Sequence, residues 1–180
     1  MIKVVILMLL FFSWSARAVE VQLYPLGSES RYQQNQDQDL VFRNARTLAF
    51  GVQEGPWSLL IERSEYNEAY GNSVLRTEHR LVSYLMTGRW TLFDFSKAHH
   101  PRLQLMPSLG VGMHQDEVTT SLLDTGTKDV SAWESLASAG LVLKMKVAQM
   151  GAELEGRVSQ GRLLDPMVAY GLVLRVGIVF

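Results

Sequence analysis

Counting back by twos from the last residue gives Phe180, Ile178, Val176, Leu174, Leu172, Tyr170 and Val168, an unbroken apolar face. The positions between them, Val179, Gly177, Arg175, Val173, Gly171 and Ala169, are mostly small and carry one charge. A period of two is that of a β-strand. In a soluble sandwich the apolar face would pack on a core and the other face would be polar and wet. Here the second face is small instead, which suits the crowded inside of a narrow barrel whose outside meets hydrocarbon.

The same alternation recurs upstream. Met150, Ala152, Leu154, Gly156 and Val158 oppose Gly151, Glu153, Glu155, Arg157 and Ser159, so four polar residues share one face. Ala137, Ala139, Leu141, Leu143, Met145 and Val147 oppose Ser138, Gly140, Val142, Lys144 and Lys146. Leu103 to Met113 alternates with Gln104 to His114, with Pro107 predicting a bulge or a lost ladder hydrogen bond. Leu48, Phe50 and Val52, and then Trp57, Leu59 and Ile61, continue the pattern on either side of a tight turn at Glu54-Gly55-Pro56. Val21 and Leu23 mark a first strand. Leu75 to Trp90 marks a fourth, but both its faces are bulky and alternation does not decide its orientation.

These segments predict eight strands, at 19–26, 43–54, 56–66, 75–89, 102–118, 132–147, 149–160 and 167–180. The fold class expected is all-β, an eight-stranded antiparallel up-and-down transmembrane β-barrel. Closure has an energetic cause: an unpaired amide or carbonyl in hydrocarbon costs several kcal/mol, so the first and last strands must pair. Connections predicted at Ser28 to Asp39 and Asp124 to Ser131 are long, those at Gly55 and at Ala148-Gln149 short. Short periplasmic turns and longer external loops fit that alternation and place both termini in the periplasm. The exception is Thr91 to Pro101, long yet on the periplasmic side. Aromatic residues near strand ends, among them Trp57, Trp133, Tyr170 and Phe180, are expected in the two interfacial girdles. Tyr170 and Phe180 are about one membrane thickness apart along a tilted strand at roughly 3.3 Å per residue.

Residues 1–18 read differently. Lys3, the apolar run Val4 to Trp14 and the small-residue site Ala16-Arg17-Ala18 predict a secretory signal peptide cleaved near Ala18, leaving a barrel domain of residues 19–180. Lys3 and Arg17 leave with it, so 17 − 2 = 15 basic residues face 18 acidic ones, a formal charge of −3. Nucleic acid is not an expected partner. The chain has no cysteine, hence neither disulfide nor lipidated cysteine.

In these features the chain resembles the OmpA/OmpX-type eight-stranded outer-membrane barrels. The resemblance covers residues 19–180, most specifically Tyr170 to Phe180 and Pro107-Ser108-Leu109-Gly110-Val111-Gly112. It implies the outer membrane of a Gram-negative bacterium, outer-membrane lipids as surroundings, and the barrel-assembly machinery as a partner reading Val176, Ile178 and Phe180. Many members have an aromatic where Ile178 stands.

The candidate site is a cluster of inward ions. A turn centred between Ala148 and Gln149 sets Lys144 opposite Glu153, Val142 opposite Glu155 and Gly140 opposite Arg157, with Arg175 on the adjoining strand. Paired and sealed, these ions make a polar plug rather than a pathway. His114 with Glu117 and Ser121 offers the residue types of a lipid-modifying enzyme, but the spacing matches no catalytic signature, and His99-His100 lacks further ligands for a metal. No catalytic, cofactor or metal residues are therefore assigned. Three functions remain open: a non-enzymatic envelope protein, structural or interacting through external loops with an unknown partner; a lipid-modifying enzyme; and a soluble periplasmic barrel holding an apolar ligand.

The alternation makes a direct prediction. Leu174→Arg, mid-strand on the lipid face, should cost about 2–4 kcal/mol, and Val173→Thr on the inner face much less. Reversible unfolding in lipid vesicles measures both, and equal losses would overturn the facing.

Overall fold

The computed structural model describes residues 19–34, 40–71, 74–96, 101–122, 125–161 and 167–180. The signal peptide expected at residues 1–18, most of the Gln33 to Gln38 stretch and His99-His100 lie outside them. The strands are β1 (Val19–Gln34), β2 (Leu40–Glu54), β3 (Trp57–Gly71), β4 (Leu75–Trp90), β5 (Phe93–Asp94), β6 (Arg102–Leu122), β7 (Thr125–Val130), β8 (Glu134–Val147), β9 (Met150–Gly161) and β10 (Met167–Val179). All pairings are antiparallel. β1, β2, β3, β4, β6, β8, β9 and β10 neighbour one another in chain order, and β1 pairs β10 to close the barrel. Phe180 completes that seam through reciprocal bonds with Val21, its amide donating to the Val21 carbonyl at 2.8 Å and its carbonyl accepting at 3.1 Å.

The stagger follows from the register. From Gln104 the ladder steps to Lys144, Glu153, Arg175, Gly27, Thr47, Ser64, Ser83 and back to β6 at His114. The path returns 114 − 104 = 10 residues further along the strand. Ten residues at ~3.3 Å over eight spacings of ~4.8 Å tilt the strands by about 40°. Such a barrel is just wide enough inside for side chains.

Alternation then divides the residues. Leu172, Leu174, Ile178, Leu154, Val158, Leu141, Leu143, Leu109, Val111, Phe50 and Ile61 all stand exposed on the outside. Leu174 is 49% exposed and its neighbour Val173 0%. β4, whose orientation alternation left open, turns Leu81, Ser83, Leu85, Thr87 and Arg89 inward and Tyr84, Met86 and Trp90 outward.

Several connections are strand rather than loop. β1 runs to Gln34, so the loop expected from Ser28 begins later. Between Tyr24 and Gly27 three steps of β1 face two of β2, and the same excess faces β10 between Leu23 and Leu26. That β-bulge moves the inward parity from Gln22 and Tyr24 to Glu29. Gly177 lies beside it, where a Cβ would stand 1.9 Å from the Leu23 carbonyl oxygen. The loop expected at Asp124 to Ser131 contains β7, which pairs β6 from Leu122 down to Glu117. The register passes through Pro107 without the bulge considered for it: β4 pairing ends at Ser108 and β5 pairing starts at Leu105, so the proline sits in the gap.

The long connection between β4 and β6 has a cause in the same stagger. β6 descends beyond the end of β4, and its lower edge would be left unpaired. Leu92 and Phe95 donate backbone bonds to Leu105 and Leu103 there, and β5 lies between them. Asp94 within it accepts from Gln104 at 3.1 Å and from Arg102 at 3.2 Å. Partial burial works against ionisation of its carboxyl, but the Ser96 and Gln104 hydrogen bonds and the Arg102 charge hold it below the usual range.

The tight turn at Ala148 shows a local strain. Its φ of 52° is left-handed, which costs a residue with a Cβ about 1–2 kcal/mol. Ala148→Gly should therefore raise stability by about 0.5–1 kcal/mol after the added unfolded-state entropy of glycine. Urea midpoints in vesicles check it.

Candidate functional site

Inward parity on five strands converges on one column of charge. Arg175 of β10 meets Glu62 of β3 through Nε at 2.6 Å, Glu155 of β9 at 2.8 Å and Glu153 at 3.4 Å. Arg89 of β4 bridges the same pair from across the lumen, at 2.9 Å to Glu153 and 3.2 Å to Glu155. Arg157 joins Glu62 at 2.6 Å to Glu29 of β1 at 2.9 Å, and Arg31 reaches Glu29 at 3.1 Å. Four guanidinium groups thus face four carboxylates. Neutral donors complete the shell: Tyr24 donates to Glu153 at 2.7 Å, Ser108 to Glu155 at 3.0 Å and Ser64 to Glu62 at 3.3 Å.

Below this column is a layer built on amides. Lys144 donates to Gln53 at 2.6 Å, Gln22 donates to the same oxygen at 3.1 Å, and Gln53 donates to Gln104 at 3.4 Å. Lower still, Glu20 binds Lys146 and, at 3.3 Å, Arg102. Above the column His114 faces Glu134 at 3.3 Å and His79 faces Asp116 at 3.5 Å. A cavity of about 10 Å³ lined by Arg31, Ala45, Ser64, Tyr66, Leu81 and Ser83 is no larger than one water.

All five ions expected inside are buried there: Lys144, Glu153, Glu155, Arg157 and Arg175. The backbone pairs are those derived from the turn, Lys144 with Glu153, Val142 with Glu155 and Gly140 with Arg157. The side-chain partner of Lys144 is a correction, however. Its ammonium goes to Gln53, while Glu153 is taken by Arg89, Arg175 and Tyr24. A guanidinium reaches across the lumen with several donors, which a lysine beside it on the ladder cannot match.

The charged residues of the column that sequence reasoning left out are Arg31, Arg89, Glu62 and Glu29. Glu62 carried a usable signal, being on the polar face of its strand. Val176, Ile178 and Phe180 lie outward at the closing seam. Trp57 stacks on Trp90 at 5.4 Å between ring centres in the lower aromatic band, and Trp133 packs on Tyr84 at 5.8 Å in the upper one. Tyr170 is exposed. His114, Glu117 and Ser121 do not assemble: Glu117 holds Lys128 at 2.7 Å, Ser121 donates to the Arg76 carbonyl, and His114 keeps Glu134. No group of three metal-ligating side chains occurs among the described residues.

An apolar exterior around a charge-filled interior defines the class by architecture, an eight-stranded barrel of the OmpA/OmpX type. No protein-family model matches the sequence, and no curated protein matches it either. Solved structures do. Ail, the attachment invasion locus protein of Yersinia pestis, is similar with a TM-score of 0.62 at 12% identity, covering 89% of this chain and 98% of that one. Ail in complex with the heparin analogue sucrose octasulfate gives 0.63 at 12%, covering 90% and 99%. Neisserial surface protein A gives 0.58 at 13%, covering 89% and 95%. At these identities the likeness is one of fold.

The geometry separates two couplings. Glu153→Ala leaves four guanidinium groups facing three carboxylates, with Arg89 held by Glu155 alone, and should cost about 3–5 kcal/mol. In double-mutant cycles Glu153 should couple to Arg89 by more than about 1 kcal/mol and to Lys144 by far less. Equal couplings would contradict the partner choice.

Proposed function

We propose that this chain is a non-enzymatic outer-membrane protein of a Gram-negative bacterium, plugged by its ion column and interacting through its external strands. The observation that carries the reading is the opposition of the two faces. The outside is exposed Leu, Val, Ile and Phe; the inside carries a column of four guanidinium groups and four carboxylates, and the cavity beside Arg31 and Ser64 is about 10 Å³. A carrier of apolar ligands would need the reverse. Beyond the upper aromatic band β3, β4, β6 and β7 continue as a four-stranded sheet, and all six β7 residues are exposed. That sheet is the interaction surface in this proposal. Ail, similar in fold, is named for attachment and invasion and has been crystallised with a polysulfated heparin analogue.

Absence of cysteine makes topology simple to test. Thr127→Cys in β7 should react with a membrane-impermeant maleimide on intact cells, and Gln149→Cys in the short turn only after permeabilisation. The opposite labelling would invert the orientation. Planar bilayers should show no steady conductance, and a sustained open level would overturn the plugged interior.

The resemblance also assigns Val176, Ile178 and Phe180 to recognition by the assembly machinery. Deleting Phe180 should leave precursor in the periplasm or degraded, and normal levels of heat-modifiable protein in the outer membrane would remove that role.

A further inference from the structure

Among the described residues Lys144 is the cation of the lumen that has no ion pair. In the column above it four guanidinium groups are matched by four carboxylates. At the lower mouth Lys146 and Arg102 share Glu20, and Asp94 also holds Arg102. Lys144 lies between these groups and is only 2% exposed. A buried ammonium with no carboxylate on it is costly.

What holds Lys144 instead is an amide on the opposite wall. Its Nζ lies 2.6 Å from Oε1 of Gln53, and the path from β2 through β1, β10 and β9 to β8 is four strands, half the circumference. The carbonyl carbon one bond behind that oxygen is therefore close to the about 3–3.5 Å separation of a near-attack pair.

The other parts of an amide-forming site surround this contact. Gln22 Nε2 donates to the same Gln53 oxygen at 3.1 Å, where negative charge gathers when a nucleophile adds. Gln53 Nε2, the group that has to leave, donates to the Gly55 carbonyl at 3.3 Å and to Gln104 Oε1 at 3.4 Å. Glu20 stands directly opposite Gln53 in the β1–β2 ladder, and its charge acts on Lys144. Water is the competing nucleophile, and Gln22, Gln53 and Gln104 are all buried from it.

We propose that Lys144 and Gln53 become joined by an isopeptide bond across the lumen, with Glu20 as the proton carrier. Glu20 takes one proton from the ammonium, and the freed Nζ lone pair adds to the Gln53 carbonyl carbon. That proton passes to the departing Nε2, the C–Nε2 bond breaks with its electron pair on nitrogen, and ammonia leaves. The second proton lost by Nζ goes with it, so an ammonium ion departs and nothing is oxidised or reduced. A buried cation is exchanged for a neutral amide, and β8 is tied to β2 across the diameter. The bond is independent of the outer-membrane reading above.

The test follows intact mass as the full chain folds from urea into detergent micelles. The unfolded chain should have the mass of its sequence, and the folded chain should be lighter by one ammonia. Tandem mass spectrometry of a digest should place the loss in a branched peptide joining the segments that hold Gln53 and Lys144. Lys144→Met and Gln53→Leu should fold without the loss, and Glu20→Gln should slow it by about 10²–10⁴-fold. Heat-modifiable mobility verifies that each variant is folded, and mapping in the unaltered chain decides the matter even where a variant fails to fold. Folded protein of unchanged mass after long incubation overturns the bond, as does a loss that maps to other residues or persists in Lys144→Met. An undiminished rate in Glu20→Gln overturns the proton carrier.

Discussion

An amide without a partner in hydrocarbon is so costly that the ladder between β1 and β10 governs most of the molecule. Joining those two strands closes the sheet, and the ten-residue return of the register then sets tilt and bore together. The same stagger drops the lower end of β6 past the end of β4. A two-residue β5 and its flanking amides cover that edge, which accounts for a connection between β4 and β6 longer than the turns at Gly55 and Ala148. The bore in turn leaves width for one layer of long side chains meeting from opposite walls.

What fills the bore has to be polar because the outside is apolar and strands alternate. Arginine and glutamate solve the packing with few groups, each guanidinium reaching two or three carboxylates. Burying such ions is expensive, and lattices of this kind stabilise little over a well-packed apolar core. Their value lies in what they exclude. A slip of β9 by one residue against its neighbours would turn Glu153, Glu155 and Arg157 toward lipid, a far larger penalty than a slip between apolar faces.

Alternation made the strands from β8 to β10 legible, since their two faces differ along the whole length. The turn at Ala148-Gln149 fixed the Lys144–Glu153 register because hairpin register depends only on the turn. Partner choice across the lumen was not legible, because Arg89 and Glu153 are 64 residues apart and meet only through closure. Glu29 was hidden by the bulge after Tyr24, where Pro25 and Gly27 are residue types that accompany bulges but do not say that the strand continues beyond with its parity changed. β4 was ambiguous for another reason: Leu81 and Leu85 are bulky and face inward, so size does not separate its faces.

The two charged regions illustrate how environment sets the meaning of an arginine. Arg175 is fully enclosed and surrounded by carboxylates, so its charge is spent within the fold. Arg46 has the same side chain on the opposite parity, exposed beside Glu65 at the end of the β2–β3 ladder and with no ion pair among the described residues. The two-residue period of the strand thus decides between a charge enclosed by the fold and one left to the surroundings at the rim.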